Sequence, residues 1–461
     1  MKQGQDGGED AVTQSEEEYT LLPRLGLGAA EAFASNLVTN VAARYIGDAG
    51  FAKISPTTIY NHMNLSAWRW EKNDRFYVNQ AGHPYQGSTY FNSGRSNGFS
   101  FYESIGFTAV GSVVWESVFE TGICSLNDFV TTTIGGAAVG EMLHRLFIES
   151  DRDGTIGGKI GSTFASPADR LTALITNRKP SIVEGNLYEV SLGAGLGWTS
   201  ADFSTGSLVE TMSVPNTLLD VQVVYGNPFE QDGMIPYQQF ELSAFINGGM
   251  KSVENRRRMW YDSRVISDGY LFVFSSESDD LQTSAGLTLH FDYFNLTDDI
   301  ADNARFAGLA FSADSLDLTV KRRTPVGETA FFDMKTHIGW LMWGTSTYWV
   351  NVPPYQVSMD EEYYNYYGTG INIQLFLTFS SQHWGTLRRD MAAYMLYGWG
   401  GGGGKGNVFY TFTDTSYSRK LGKRFSIGVG WSCARLAGYY DEAPNGLKSV
   451  KTRRIFSEWR L

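Results

Sequence analysis

In the stretch AGLTLHFDY, residues 285–293, every second residue is apolar. Leu287, Leu289 and Phe291 lie on one face, and His290 and Asp292 lie on the other. Successive side chains of a β-strand point to opposite sides of its sheet. The stretch therefore predicts a strand with one apolar surface and one polar surface.

The same alternation returns throughout the second part of the chain. It is clear at 188–198, 219–225, 240–246, 332–340, 371–379 and 425–431, and weaker at 257–266, 269–276, 304–320, 388–398, 407–418 and 448–461. Connections rich in Asp, Asn, Gly and Pro separate these segments, as turns require. Together they predict roughly a dozen strands of the length that a tilted membrane strand needs.

The composition separates a membrane barrel from a soluble sandwich. The polar faces consist mostly of Gly, Ser, Thr and Asn, which suit a barrel lumen, whereas a soluble sheet would present many Lys and Glu to water. The chain has 29 Phe, 25 Tyr and 12 Trp, and its mean hydropathy of -0.23 excludes a polytopic helical membrane protein. We predict a membrane β-barrel of about 12 antiparallel strands over residues 183–461, with Leu192, Leu196, Leu289, Leu375 and Val429 facing lipid.

The first part of the chain has helical rather than strand periodicity. Residues 1–20 are polar and acidic and predict a disordered tail, and residues 21–182 form a helical region that plugs or caps the barrel. Helices are expected at about 28–46, 99–120 and 128–147, with 48–98 mostly loop, and Gly136 and Gly140 favour close helix packing. Whether the helices enter the lumen or lie beside the barrel stays open.

Residues 79–145 concentrate the polar side chains that can do chemistry. Such groups are costly on apolar helices unless they are paired or used. They are also expected to lie together, because Arg95 and Arg145 can bridge carboxylates. The candidates are His83, Arg95, Glu116, Glu120, Asp128, Glu141, His144 and Arg145.

Three interpretations of these residues remain open: a structural polar network, an acid–base or metal site, or a gate for transport. Glu116 and Glu120 stand four positions apart, where like charges repel unless a cation or proton lies between them. However, the sequence lacks HExxH and CxxC spacings, so no cofactor or metal is assigned and the presence of enzyme activity is undecided. The glycine run around Lys405 lacks the P-loop context and is read as a loop between strands.

The region around residues 75–150 resembles a bacterial family recorded only as a domain of unknown function. The matching residues are Asn79, His83, Pro84, Gly87, Ser88, Tyr90, Phe91, Asn92, Arg95, Ser96, Asn97, Gly98, Trp115, Glu116, Glu120, Ser125, Asn127, Asp128, Gly136, Gly140, Glu141 and Arg145. The resemblance implies a helical region followed by a barrel in the outer membrane of a Gram-negative envelope. It implies no activity.

Two functions from different classes follow as expectations. The first is an outer-membrane barrel that serves envelope structure or small-solute passage. The alternative is a membrane-embedded hydrolase or transferase acting on lipid or glycolipid. Membrane lipid and the outer-membrane assembly machinery are the expected partners, and a removed signal peptide is inferred from the barrel prediction. A net charge of -12 without a long basic run argues against nucleic-acid binding.

Overall fold

The structure is a computed structural model that describes most of the chain. It describes residues 21–70, 76–152, 154–177, 186–205, 208–230, 233–253, 256–278, 280–298, 310–348, 351–352, 355–356, 364–401, 405–441 and 445–461. The tail predicted for residues 1–20 lies outside these ranges.

Twelve antiparallel strands close into one barrel, and the first strand pairs with the last. The predicted fold class and strand number are therefore confirmed. The strands are β1 (Leu187–Thr205), β2 (Leu208–Tyr225), β3 (Phe240–Val253), β4 (Arg256–Ser278), β5 (Leu281–Asp298), β6 (Ala310–Val326), β7 (Ala330–Tyr348), β8 (Tyr364–Ser381), β9 (Gly385–Gly401), β10 (Gly406–Lys420), β11 (Phe425–Tyr440) and β12 (Gly446–Arg460).

Bonds between strands that are not neighbours identify the lumen. Tyr394 of β9 donates its hydroxyl to Asp292 of β5 at 2.7 Å, and Gln374 of β8 donates to the same carboxylate at 2.9 Å. Arg388 of β9 donates to Gln222 of β2 at 2.9 Å. Since only the lumen allows such contacts, the polar face of the alternation points inward and the apolar face points outward.

The outer wall carries a broad belt of exposed apolar side chains. Leu196, Ile373 and Val429 are 66%, 52% and 54% exposed. Aromatic residues stand near both ends of the strands, such as Tyr417 and Trp459 at one end and Tyr397, Trp399 and Tyr439 at the other. A belt of this kind between aromatic girdles is the lipid-facing surface of a membrane barrel.

An arginine introduced into this belt is expected to impair folding in a bilayer according to its depth. Leu196 lies at the middle of β1, and Leu387 lies near the end of β9. Both leucines are exposed on the outer wall. We expect Leu196→Arg to cost about 2–4 kcal/mol and Leu387→Arg about 0–1 kcal/mol, because the penalty falls towards the interface. Urea titration of the protein refolded into bilayers measures both, and equal costs would contradict the assigned depth.

Seven α-helices precede the barrel in the part of the chain that the structure describes. They are α1 (Leu21–Tyr45), α2 (Pro56–His62), α3 (His83–Ser96), α4 (Phe101–Val114), α5 (Leu126–Arg152), α6 (Ile156–Ala165) and α7 (Pro167–Thr176). Wider helical turns, Val78–Gly82 and Trp115–Phe119, precede α3 and follow α4. No helix among the described residues is long and apolar enough to cross a membrane.

The prediction that residues 48–98 are mostly loop is wrong at α3, which is helical over His83–Ser96. Its residues, HPYQGSTYFNSGRS, lack a regular apolar stripe. They are helical because small side chains allow α3 to pack tightly against its neighbours. A carbon added at Gly87 would lie 2.2 Å from the carbonyl oxygen of Thr132 on α5, and one at Gly94 would lie 2.7 Å from the hydroxyl of Ser104 on α4. Tertiary packing overrides weak local propensity here.

Of the two arrangements left open by the sequence, the helices lie beside the barrel. Leu289, Phe291 and Tyr293 alternate with the lumen-facing Asp292 of β5, and they form one buried cluster with Phe91 and other residues of the helical region. Leu289 therefore lies on the outer wall, as predicted, but under the helices rather than against lipid. The packing of the predicted helices into one unit is confirmed.

Polar contacts also join the helices to the outer wall, near the strand ends that lie opposite the β6–β7 and β8–β9 turns. Trp343 of β7 donates its indole N–H to Thr131 of α5 at 2.9 Å, and Asn127 of α5 donates to the Tyr367 hydroxyl of β8 at 3.0 Å. The opposite surface of the helical layer is apolar, with Val38 67% and Phe164 76% exposed. The layer therefore has one face suited to the barrel and one suited to lipid.

Candidate functional site

The lumen contains a cavity of about 790 Å³. Its lining comes from the half of the barrel that contains the β4–β5, β6–β7 and β8–β9 turns. Residues of both charges line it, including Glu241, Asp268, Lys335, Arg388 and Asp414. Cavities of this size hold small organic molecules.

Ion pairs hold most of these charges across the lumen. Lys335 lies between Glu241 at 2.5 Å and Asp268 at 2.7 Å. Arg454 donates two hydrogen bonds of 2.8 Å to Asp414. Paired charges of this kind fix side chains in place and leave a surface of mixed polarity rather than a field of one sign.

An aromatic constriction closes the lumen beyond the cavity. The ring of Tyr410 stacks on Phe311 at 4.8 Å and lies 4.6 Å from Phe294, and Tyr394 packs against the same group. These residues face inward from β5, β6, β9 and β10 and belong to a buried cluster that also contains Trp260. The constriction consists of the barrel's own side chains, whereas the helices lie outside.

In the helical region, Arg95, Glu141 and Arg145 form an ion triad. Arg95 donates to both oxygens of Glu141, at 2.6 and 3.2 Å, and Arg145 donates to it at 2.9 Å. Arg145 also donates to the carbonyl of Pro236, between β2 and β3, at 2.7 Å. Burial alone would raise the pKa of Glu141, but Arg145 and Arg95 outweigh it and hold that pKa below its ordinary value. The triad ties α3 and α5 to the barrel.

A second group joins His83, Asp128 and Glu116. His83 Nδ1 lies 3.1 Å from the Thr132 hydroxyl, and His83 Nε2 lies 3.7 Å from Asp128 Oδ2. The Asp128 amide donates to Ser125 Oγ at 3.2 Å, and the Ser125 amide donates to Glu116 at 2.7 Å. Backbone amides at the start of α5 are thereby satisfied by side chains.

The two remaining candidates make separate contacts. His144 Nδ1 lies 2.8 Å from Asp169, whose amide donates to the hydroxyl of Ser166, the N-cap of α7. Glu120 accepts the indole N–H of Trp115 at 3.0 Å. Glu120 has extended backbone beyond the helix end, so the expected pair of carboxylates on one helix face is not formed.

The prediction of one connected cluster is therefore wrong. Glu141 follows Asp128 by thirteen residues on α5, which separates them by roughly 20 Å along the axis. Arg95 and Arg145 both bind Glu141. The charged side chains are paired, as expected, but the pairs lie at different positions along α5 rather than in one cluster.

One buried group in the lumen was not predicted from the sequence. His290, Asp317 and His337 each offer a ligand atom, and these atoms lie within 4.8 Å of one another. The available signal was weak: each residue lies on the polar face of a strand, but the three strands are adjacent only once the barrel is paired. Glu31 of α1 was also missed; burial raises its pKa to about 7, although Thr172 and Asn97 donate hydrogen bonds to it.

Residues 67–179 match the family model described as a domain of unknown function, DUF3943. This range contains α3 to α7 and every candidate residue above, and it agrees with the resemblance seen in the sequence. The match covers the helical region from α3 onward and ends before the barrel. The chain has no match among curated proteins.

Solved structures of bacterial channels show a low-level likeness to the chain. The Pseudomonas putida toluene transporter TodX is 10% identical over 59% of this chain and 89% of that chain, with a TM-score of 0.24. An outer membrane channel from Pseudomonas putida F1 is 9% identical over 60% and 97%, with a TM-score of 0.28. The Ralstonia pickettii toluene transporter TbuX is 13% identical over 63% and 93%, with a TM-score of 0.22. These scores are low, and the description of the barrel rests on its own strand pairing.

Proposed function

We propose that this protein is an outer-membrane barrel that binds a small polar solute in its lumen and passes it when the aromatic constriction opens. The observation that carries the proposal is the lumen itself: a cavity of about 790 Å³ with paired charges, closed on one side by aromatic side chains. Because both charge signs line the cavity, it suits zwitterionic or neutral polar solutes better than a strongly charged ion.

The connection lengths orient the barrel in this proposal. Outer-membrane barrels have short periplasmic turns and longer extracellular loops. The β4–β5, β6–β7 and β8–β9 connections are short, whereas Asp298 and Ala310, and Tyr348 and Tyr364, bound longer ones at the opposite end. The β2–β3 connection, between Tyr225 and Phe240, is a long exception at the end with the short turns. The cavity then faces the periplasm, the constriction faces the exterior, and the outer-membrane assembly machinery inserts the barrel.

Removing two constriction residues is expected to open the lumen to ions. Phe294→Ala combined with Tyr410→Ala deletes two rings whose centroids lie 4.6 Å apart at the centre of the constriction. In planar bilayers we expect the double variant to conduct at least about tenfold more than the unchanged protein, because a dewetted apolar constriction becomes wet when it widens.

The control for this experiment lies on the same strand. Phe409 is adjacent to Tyr410 but faces outward and is 39% exposed. Phe409→Ala should leave the conductance unchanged. If a correctly folded double variant conducts no more than this control, the lumen is not a path for solutes.

The enzyme alternative gains no support from the geometry. His83 and Asp128 are buried between α3, α5 and the barrel, where Thr132 and Ser125 satisfy polar groups next to them. These contacts account for the candidate residues as ties within the helical layer and between that layer and the barrel wall. We therefore propose a structural role for them.

A further inference from the structure

Three lumen residues next to the cavity are arranged like the ligands of a metal ion. His290 of β5, Asp317 of β6 and His337 of β7 are fully buried, and their ligand atoms lie within 4.8 Å of one another. His290 Nε2 and Asp317 Oδ2 are 3.5 Å apart. Two ligands on one tetrahedral zinc ion at about 2.0–2.1 Å stand about 3.3 Å apart, so small side-chain movements close the set.

Three atoms of this group lack hydrogen-bond partners among the described residues. They are His290 Nδ1, Asp317 Oδ2 and His337 Nε2. A buried polar atom without a partner costs free energy. Asp317 Oδ2 and His337 Nε2 are unsatisfied atoms of one cluster, which points to a ligand that the cluster is built to hold. His290 approaches Asp317 Oδ2 through Nε2, so its unsatisfied Nδ1 does not count toward this set.

Neighbouring residues fix the orientation of the cluster. Thr319 Oγ1 lies 2.7 Å from His337 Nδ1, which leaves Nε2 as the ring nitrogen available to a metal. Thr288 Oγ1 lies 2.6 Å from Thr319 Oγ1 and 2.9 Å from His290 Nε2. Metal-binding histidines commonly have their second nitrogen held as in His337. In His290, Thr288 contacts Nε2, the nitrogen that faces Asp317, and this contact would give way to an ion.

A glycine makes room for the carboxylate. Gly339 of β7 pairs with Asp317 on one side and Asn372 on the other. Asn372 donates to Asp317 Oδ1 at 2.9 Å above this glycine. A carbon added at Gly339 would lie 1.8 Å from Asp317 Oδ1, so only glycine allows Asp317 to adopt this position.

Carboxylates balance the positive charges nearest the cluster. The nearest lysines along the strands are Lys321 and Lys335, and carboxylates hold both. Glu241 binds Lys321 at 2.8 Å and Lys335 at 2.5 Å, and Asp268 binds Lys335 at 2.7 Å. The cavity lined by Lys335 supplies a polar route to within two residues of His337.

We propose that His290, Asp317 and His337 form a binding site for a divalent transition-metal ion inside the barrel lumen. Two imidazoles and one carboxylate are a ligand set that zinc accepts, with a fourth position left for water or solute. The proposal is independent of solute passage: an ion here would tie β5, β6 and β7 together even in a barrel that conducts nothing.

Zinc binding by the purified, refolded protein tests the site directly. After incubation with Zn²⁺ and gel filtration, we expect about one equivalent per chain by elemental analysis, and Co²⁺ should give the visible absorption of a four-coordinate ion. Asp317→Asn and His337→Gln should each weaken Zn²⁺ binding more than about 100-fold, because changes to supporting residues alone cost 10–100-fold.

Two further variants separate the site from surface binding and from misfolding. Gly339→Ala retains all three ligand side chains but displaces Asp317, and it should weaken Zn²⁺ binding as Asp317→Asn does. His383 is exposed in the β8–β9 turn, and His383→Gln should leave binding unchanged. Heat-modifiable electrophoretic mobility identifies folded barrels, and only folded variants are compared.

Two results would overturn the proposal. One is a folded protein that takes up no Zn²⁺. The other is Zn²⁺ binding that persists in both His337→Gln and Gly339→Ala but is lost in His383→Gln, which would place the ion on the surface.

Discussion

Glu141→Ala is expected to release the helical region from the barrel. Glu141 is fully buried and accepts hydrogen bonds from both Arg95 and Arg145. Arg145 also donates to the carbonyl of Pro236 of the barrel. Removing the carboxylate leaves two guanidinium groups in a buried site without their counter-charge. Breaking a buried pair in this way costs about 3–5 kcal/mol.

Limited proteolysis of the folded barrel and urea unfolding measure this effect. We expect cleavage between α3 and α5 in Glu141→Ala under conditions where the unchanged protein resists. Glu103, exposed on α4 and bonded only to the Ser100 cap among the contacts described here, supplies the control. Glu103→Gln should leave the stability nearly unchanged, because Gln at this position can keep the bond to the Ser100 amide.

A triple replacement distinguishes charge pairing from shape. Changing Arg95, Glu141 and Arg145 together to Met, Leu and Met should recover most of the stability lost in Glu141→Ala, since an apolar set of similar volume carries no desolvation cost. If Glu141→Ala alone is as stable as the unchanged protein, the triad does not hold the helices to the barrel.

The direction of the Glu141 pKa shift gives the pH dependence of this contribution. Its pKa is lower in the folded protein than its ordinary value, because Arg145 and Arg95 outweigh the opposing effect of burial. A group with a lowered folded pKa stabilises the protein above its unfolded pKa, and the contribution is lost as pH falls through the folded pKa. The stability difference between the unchanged protein and Glu141→Ala should therefore be full at neutral pH and shrink in acid.

The barrel could be predicted from the sequence because each strand repeats the same local rule. At β5 the alternation of Leu289 and Phe291 with His290 and Asp292 is visible without any neighbour. The wall covered by helices could not be predicted, because Leu289 has the same sequence signature as lipid-facing Leu196. Only the contacts of Leu289 with the helical region separate them.

The site residues show the same limit. The ion pair of Glu141 with Arg145 is one that their four-residue spacing on one helix favours. The addition of Arg95, and the separation of this triad from His83 and Asp128, depend on how α3 crosses α5. His290, Asp317 and His337 come together through strand register, which local patterns do not encode.

Replacing Gly136 by alanine is expected to destabilise the protein, whereas replacing Gly106 by alanine is expected to stabilise it. A carbon added at Gly136 of α5 would lie 2.6 Å from the Cα of Gly87 on α3, and one at Gly106 of α4 would meet no atom within 4 Å. At Gly136 the clash is with backbone, so the two helices must move apart, and overpacking of this kind costs about 1–3 kcal/mol.

At Gly106 only helix propensity changes, and Gly106→Ala should stabilise the protein by up to about 1 kcal/mol. The same chemical change, made on two helices of one layer, therefore isolates the close approach of α3 and α5. Gly136→Leu should go further and expose both helices to protease while the barrel stays folded, because the strand ladder closes without them. Equal effects of the two alanine substitutions would show that the helices do not pack through Gly87 and Gly136, and the position of the helical layer on the barrel wall would then need another cause.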